Sequence, residues 1–139
     1  MNTMSAEQTQ VSYENARVNL ELSWRFYHMS EVINNMKTRR SIRKYKPDMI
    51  PEDVLNRIIE AGTYAATGMG KQSPIIIAVT NKEIRDKFSK MNAEIMGVDS
   101  DPFYGAPVVL IVLADKARPT YVYDGSLVMG NLMLAAHAE

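Results

Sequence analysis

The sequence contains no cysteine and only two histidines, His28 and His137. The first absence removes disulfides, thiolate metal sites and a cysteine nucleophile. The second leaves too few imidazoles for a histidine metal cluster, and nothing is spaced beside either one to build a histidine-centred triad. There is also no excess of either charge sign, because sixteen basic residues balance sixteen acidic ones. Proteins that work on nucleic acid or on an acidic membrane usually carry a basic surplus, so both partners lose weight. No run approaches the roughly 20 apolar residues that span a bilayer. The start, MNTMSAEQTQ, lacks the charged and apolar regions of a signal peptide. These absences predict a soluble, cytoplasmic protein.

What is present is ordinary globular composition: 139 residues, 46% apolar and 23% charged. That length suffices for one compact domain with its own core, not for two. Residues 1–28 read as an N-terminal arm outside the core, and residues 29–139 as the domain. Within the arm, Val18, Leu20, Leu22, Trp24 and Phe26 alternate with polar residues, which is strand periodicity.

After Ser30, a candidate cap, Val32, Ile33 and Met36 predict a helix. Pro51-Glu52-Asp53 forms a second helix start, with Pro in the first turn and acids at the positive end of the dipole. Its apolar face is Val54, Leu55, Ile58 and Ile59, and it is expected to reach Ala65-Ala66 and stop at Gly68 and Gly70. Pro74–Thr80, PIIIAVT, predicts a strand covered on both faces. Asn81 caps a third helix whose inward face is Ile84, Phe88, Met91 and Ile95. Ala106–Ala114 predicts a second buried strand, with Pro107 at its start. A last helix, from about Asp124 as cap to His137, is apolar nearly all round, as a helix in a core or a subunit interface would be. Gly125 and Gly130 would let another backbone come close. The layering is α+β or α/β. Ending at Glu139, just after this helix and with two strands, the chain reads as incomplete at its C-terminus.

Two segments could carry chemistry. Six basic residues lie between Lys37 and Lys46 with no acid among them. Arginine forks match phosphate oxygens, and Ser41 adds a hydroxyl. A solvated basic helix end is the plainer reading. The loop Thr67-Gly68-Met69-Gly70-Lys71-Gln72-Ser73 links a helix to a buried strand, and its glycines would let backbone N–H groups approach a ligand. It is not a P-loop, because the Gly-Lys-Ser/Thr ending is missing; a helix stop followed by a turn is again the plainer reading. Phe103 and Tyr104 could line an aromatic pocket or pack in the core. No carboxylate pair and no nucleophile–base set can be assembled. If the protein is an enzyme, a cofactor carries the hard chemistry.

The segments MKTRRSIRKYKPDMIPEDVLNRIIEAGTYAATGMGKQSP, DPFYGAPVVLIVLAD and YDGSLVMGNLMLAAHA, in this order, resemble the FMN-dependent nitroreductase family of NAD(P)H-using flavoproteins. The resemblance runs from about Met29 to Ala138. It implies an α+β three-layer sandwich, with a central, mostly antiparallel sheet flanked by helices, working as an intertwined homodimer with FMN at the subunit interface. It implies that Arg39, Arg40, Ser41 and Arg43 hold the FMN phosphate, ribityl chain and ring edge. Thr67, Gly68, Met69, Gly70 and Gln72 would lie near the flavin, Asn92 would reach it, and Phe103 and Tyr104 would border the substrate. NADH or NADPH would reduce the flavin. A small electron-poor acceptor, such as a nitroaromatic or a quinone, would then take the electrons in a ping-pong sequence through N5. The chain departs from the pattern at Gly70-Lys71-Gln72-Ser73-Pro74, where many members carry Asn-x-Gln-Pro-Trp. Members also continue past the central helix. A non-catalytic flavin- or nucleotide-binding module, or an inactive fragment of the same fold, is therefore the alternative. A nucleic-acid binder using Lys37–Lys46 is disfavoured by the zero net charge.

Overall fold

The computed structural model describes residues 17–19 and 31–139. The chain divides into two compact units, Met1–Arg39 and Arg40–Glu139.

In the first unit, residues 17–19 are helical, as are residues 31–38, here α1. The alternation starting at Val18 therefore does not begin as a strand. Helical backbone at these residues makes its hydrogen bonds locally and needs no neighbouring strand. The rest of that stretch, and the cap expected at Ser30, lie outside the described residues.

The second unit runs α2 (Glu52–Thr63), a 3₁₀ turn (Gly68–Gly70), β1 (Ile75–Val79), α3 (Lys82–Met96), β2 (Val109–Leu113) and α4 (Tyr121–Ala138). This is an α+β arrangement. The two strands pair antiparallel, from Ile75 opposite Leu113 to Val79 opposite Val109.

Pro51 occupies the N-cap of α2 rather than its first turn, with φ −53° as its ring requires. Glu52 and Asp53 follow at the positive end of the dipole. The helix stops at Thr63, short of the expected Ala65-Ala66. There the Tyr64 and Ala65 N–H groups tighten onto the Ala61 and Gly62 carbonyls, at 3.3 and 3.2 Å. The apolar face of α2 meets α4 in a core of Ile58, Ala65, Val128 and Leu132, flanked by Val54, Ile76, Leu110, Val112 and Ala135. Gly62 permits this close approach. A Cβ there would stand 2.7 Å from Leu132 Cδ2 and 2.8 Å from Ile76 Cδ1.

Three expectations about burial are corrected. First, β1 is not covered on both faces: Ile75 and Ile77 are exposed, and their face becomes buried only at Val79, the last residue of the strand. Second, Ile84, Phe88, Met91 and Ile95 of α3 are exposed, while Arg85 and Ser89 are buried. Asn81 does cap this helix, its side chain accepting from the Ile84 N–H at 3.0 Å. Third, α4 buries one face only, through Asp124, Val128 and Leu132, and leaves Val122, Tyr123, Leu127 and Met133 exposed. It begins at Tyr121, so Asp124 lies in its first turn and not at its cap. Gly125 approaches Ala114, to 3.3 Å from a built Cβ, but nothing lies within 4 Å of the corresponding point at Gly130. Among the described residues, no helix is long and apolar enough to cross a membrane.

Candidate functional site

The basic segment begins in the last turn of α1. Its helix end is tied locally: Thr38 Oγ1 donates to the Asn34 carbonyl at 2.8 Å, and the Arg39 N–H donates to Asn35 at 3.1 Å. Arg39 closes the first unit, whereas Arg40, Ser41 and Arg43 open the second, in irregular, exposed backbone. Tyr45 Oη donates to the Ile42 carbonyl at 3.2 Å, a local turn. Ser41 and Arg43 make no hydrogen bond or ion pair among the described residues. An arginine in that position keeps its fork available to an anion.

The glycine loop has a different character. Gly70 N–H donates to the Thr67 carbonyl at 3.0 Å, and Lys71 N–H to the Gly68 carbonyl at 3.2 Å. Gln72 N–H donates to Thr67 Oγ1 at 2.9 Å. Gly68 N–H donates to Oδ1 of Asp124 at 2.9 Å, and Thr120 Oγ1 donates to Oδ2 of the same carboxylate at 2.9 Å. Of the N–H groups from Gly68 to Gln72, only that of Met69 has no partner among the described residues. The loop is therefore no open anion nest. Its glycines serve the turn, where Gly70 has φ +63°, and contact with α4, where a Cβ on Gly68 would fall 2.2 Å from Thr120 Oγ1. Met69 (φ 53°) and Gln72 (φ 48°) also adopt left-handed backbone. Such strain in non-glycine residues persists only where the surroundings over-determine it.

Beside Gln72, a cavity of about 450 Å³ is lined mainly by apolar groups, among them Ile59, Gly62, Pro74, Ile76 and Val128. The neighbouring Ser73 Oγ is buried with no hydrogen-bond partner among the described residues. Most buried hydroxyls find one.

Phe103 and Tyr104 lie in a loop gathered by Asp101. Ser89 Oγ donates to Asp101 Oδ1 at 2.5 Å, and Phe103 N–H donates to the same oxygen at 3.0 Å. Gly105 N–H donates to Oδ2 at 2.7 Å, and the Arg85 guanidinium pairs with that oxygen. Arg85 also donates to the Ala106 carbonyl at 2.8 Å and lies 5.7 Å from the centroid of the Phe103 ring. Burial opposes ionisation of Asp101, but the donors from Ser89, Arg85, Phe103 and Gly105 outweigh it and hold the carboxyl well below the usual range. This knot explains why α3 turns Arg85 and Ser89 inward. Phe103 is thus half-buried under Arg85, whereas Tyr104 is exposed with φ 54°. Asn92 is half-buried on α3 and makes no hydrogen bond among the described residues.

The structure thus draws Thr67, Gly68, Met69, Gly70 and Gln72 into one turn, and Phe103 and Tyr104 into another. No hydrogen bond among the described residues joins these turns to each other or to Ser41 and Arg43. Asp101, Arg85 and Asp124 were missed as organisers of these loops. Asp124 had a signal: it is the one acid within the apolar run of the last helix, and a buried acid needs donors. Asp101, two and four residues ahead of the N–H groups it accepts from, had the weaker signal of a side-chain-to-backbone turn. Arg85 had none. Among the described residues there is no cluster of three or more His, Asp or Glu that could hold a metal ion.

Residues 36–139 match the family model described as the nitroreductase family. A Methanothermobacter thermautotrophicus protein, provisionally named NADH dehydrogenase/NAD(P)H nitroreductase, is 31% identical over 117 residues, covering 78% of this chain and 56% of that one. The FMN reductase [NAD(P)H] of Bacillus subtilis is 33% identical over 90 residues, covering 65% of this chain and 34% of the relative. A crystal structure of a Bacteroides fragilis nitroreductase with bound FMN superposes with a TM-score of 0.70 at 30% identity, covering 78% of this chain and 65% of that one. The chain thus spans between a third and two thirds of the length of these relatives. The family match covers the basic segment, the glycine turn, both strands and the helix bearing Asp124, and this chain belongs to the nitroreductase family.

Proposed function

We propose that the protein is an FMN-dependent oxidoreductase that uses NADH or NADPH to reduce small electron-poor acceptors, such as nitroaromatics or quinones. The observation that carries this reading is the likeness to the FMN-bound Bacteroides fragilis enzyme, over a family match that includes both candidate segments. The residues present fit such a group. Ser41 and Arg43 are exposed and have no partner among the described residues, which suits a phosphate; the apolar cavity beside Gln72 and the Ser73 hydroxyl, likewise without a partner there, suit part of a ring system.

In this reading FMN, when bound, would supply the redox chemistry that links the nicotinamide to the acceptor in ping-pong order. The chain's own residues bind and orient. Arg39, Arg40, Ser41 and Arg43 hold the phosphate and ribityl chain. Thr67, Gly68, Met69, Gly70 and Gln72 border the ring, and Met69 contributes the loop's uncommitted N–H. Asn92 adds a polar contact, while Phe103 and Tyr104 border the acceptor. Residues 29–139 act as the functional domain, with 1–28 as an arm, and two copies complete the site at their interface in the cytoplasm.

The test is direct. Purified protein is titrated with FMN, followed by flavin fluorescence, and the complex is exposed to NADH and NADPH under anaerobic conditions. Flavin uptake and bleaching are expected. A protein that takes up no FMN sinks the reading; bound FMN that neither nicotinamide bleaches makes the chain a non-catalytic flavin module.

A further inference from the structure

Resting on that flavin reading, we infer that Asp124 is a positioning residue. Its carboxylate holds the Gly68–Gly70 turn, and with it the Met69 N–H, in the shape that meets FMN. Asp124 is 3% exposed, on the buried face of α4 that continues with Val128 and Leu132. An apolar residue would fill that position without the cost of burying a charge. Both carboxylate oxygens are instead committed, one to the Gly68 N–H and one to the Thr120 hydroxyl, each at 2.9 Å. A carboxylate so enclosed and occupied is poorly placed to exchange protons with a substrate. Its directional work falls on the turn.

The turn needs that hold. Met69 and Gln72 sit in left-handed backbone at φ 53° and 48°. The contact of Gly68 with Thr120 fixes the distance between turn and helix, and the Asp124 hydrogen bond fixes its orientation. Without the carboxylate, the Gly68 N–H is released and the strained turn can relax, taking the Met69 N–H with it. A ligand would then have to reorder the loop on binding, which lowers affinity without altering any group it touches.

The experiment compares wild type with Asp124→Ala, Asp124→Asn and Gly68→Ala. It uses FMN titration, visible circular dichroism of the bound flavin, amide hydrogen exchange at Gly68 without FMN, and thermal unfolding. Loss of a hydrogen bond to a charged group predicts FMN binding weaker by roughly ten- to a hundredfold in Asp124→Ala. The flavin dichroism should change and Gly68 should exchange faster. Asp124→Asn keeps an acceptor for Gly68 and a donor for Thr120, so it should recover most of the affinity and protection. Gly68→Ala leaves the carboxylate in place but pushes the turn off α4; it should weaken FMN while the protein stays folded, and it serves if Asp124→Ala does not fold. Wild-type FMN affinity and dichroism in folded Asp124→Ala or Gly68→Ala would overturn the inference, as would an Asn variant that binds no better than the Ala variant. Wild type that takes up no FMN overturns the flavin reading and the inference with it. Fast exchange at Gly68 in wild type overturns the inference alone.

Discussion

Asp101 and Asp124 each tie a loop to a helix, but from opposite sides. Asp101 stands on the loop and reaches for α3, whereas Asp124 stands on α4 and reaches for the glycine turn. Asp101 gathers a guanidinium, a hydroxyl and two backbone N–H groups. Asp124 has one N–H and one hydroxyl, and no ion pair among the described residues. The first is a neutralised knot around Arg85, which is 7% exposed and also reaches the Asp86 carboxylate at 3.3 Å. The second is a lighter tie on a strained turn. In physical terms, the loop that carries Phe103 and Tyr104 is locked, while the one that carries Met69 is held by one hydrogen bond to α4 and the close contact of Gly68 with Thr120.

The contrast can be broken most forcefully at Asp101. Asp101→Ala leaves the buried Arg85 guanidinium with only the more exposed Asp86 carboxylate, 3.3 Å away, and losing the inner partner should cost about 3 kcal/mol of folding stability. Denaturant unfolding measures it; a loss no larger than that of Asp124→Ala would erase the distinction between the knots. A smaller effect is expected from acid. The Asp101 carboxyl is held below its unfolded value of about 3.9. Its contribution is therefore complete above about pH 4 and is lost as pH falls through the folded value. The unfolding midpoint should drop on acidification more steeply in wild type than in Asp101→Asn; parallel profiles would mean that the knot does not control Asp101 ionisation. Smaller again is Ser89→Ala, which removes one donor of several and should cost about 1 kcal/mol. Lys82→Ala marks the floor. Its exposed pair with Asp86, four residues along the helix, should leave the unfolding midpoint unchanged.

Much of the fold was legible. Pro51-Glu52-Asp53 and Asn81 placed two helix starts to within a residue, and both apolar runs became strands. These signals are local, because a cap or a β-branched run acts on its own backbone. What failed was orientation. Spacing shows that Ile84, Phe88, Met91 and Ile95 share one face of α3, but not that the adjacent face, about 100° round the helix, would be the one buried through Arg85 and Ser89. That outcome depends on Asp101, twelve residues beyond Ser89, and on a loop whose path no periodicity encodes. The candidate site divides in the same way. The arginines and glycines were visible as residue types, and the family resemblance ordered them. That four N–H groups of the glycine turn are already taken could emerge only from the backbone geometry.

Among the described residues β1 pairs with β2 alone, and this has a practical corollary. In a two-stranded ladder each strand keeps one edge without a strand partner, and its outward N–H and C=O groups can template another chain. Ile75–Val79 is uncharged, β-branched at four of its five positions and free of proline, which is the signature of a segment that stacks on copies of itself. Solubility at working concentration, more than folding free energy, should then set the handling limits of this chain. A charge placed at the exposed Ile75 or Ile77 is where that limit would be relieved.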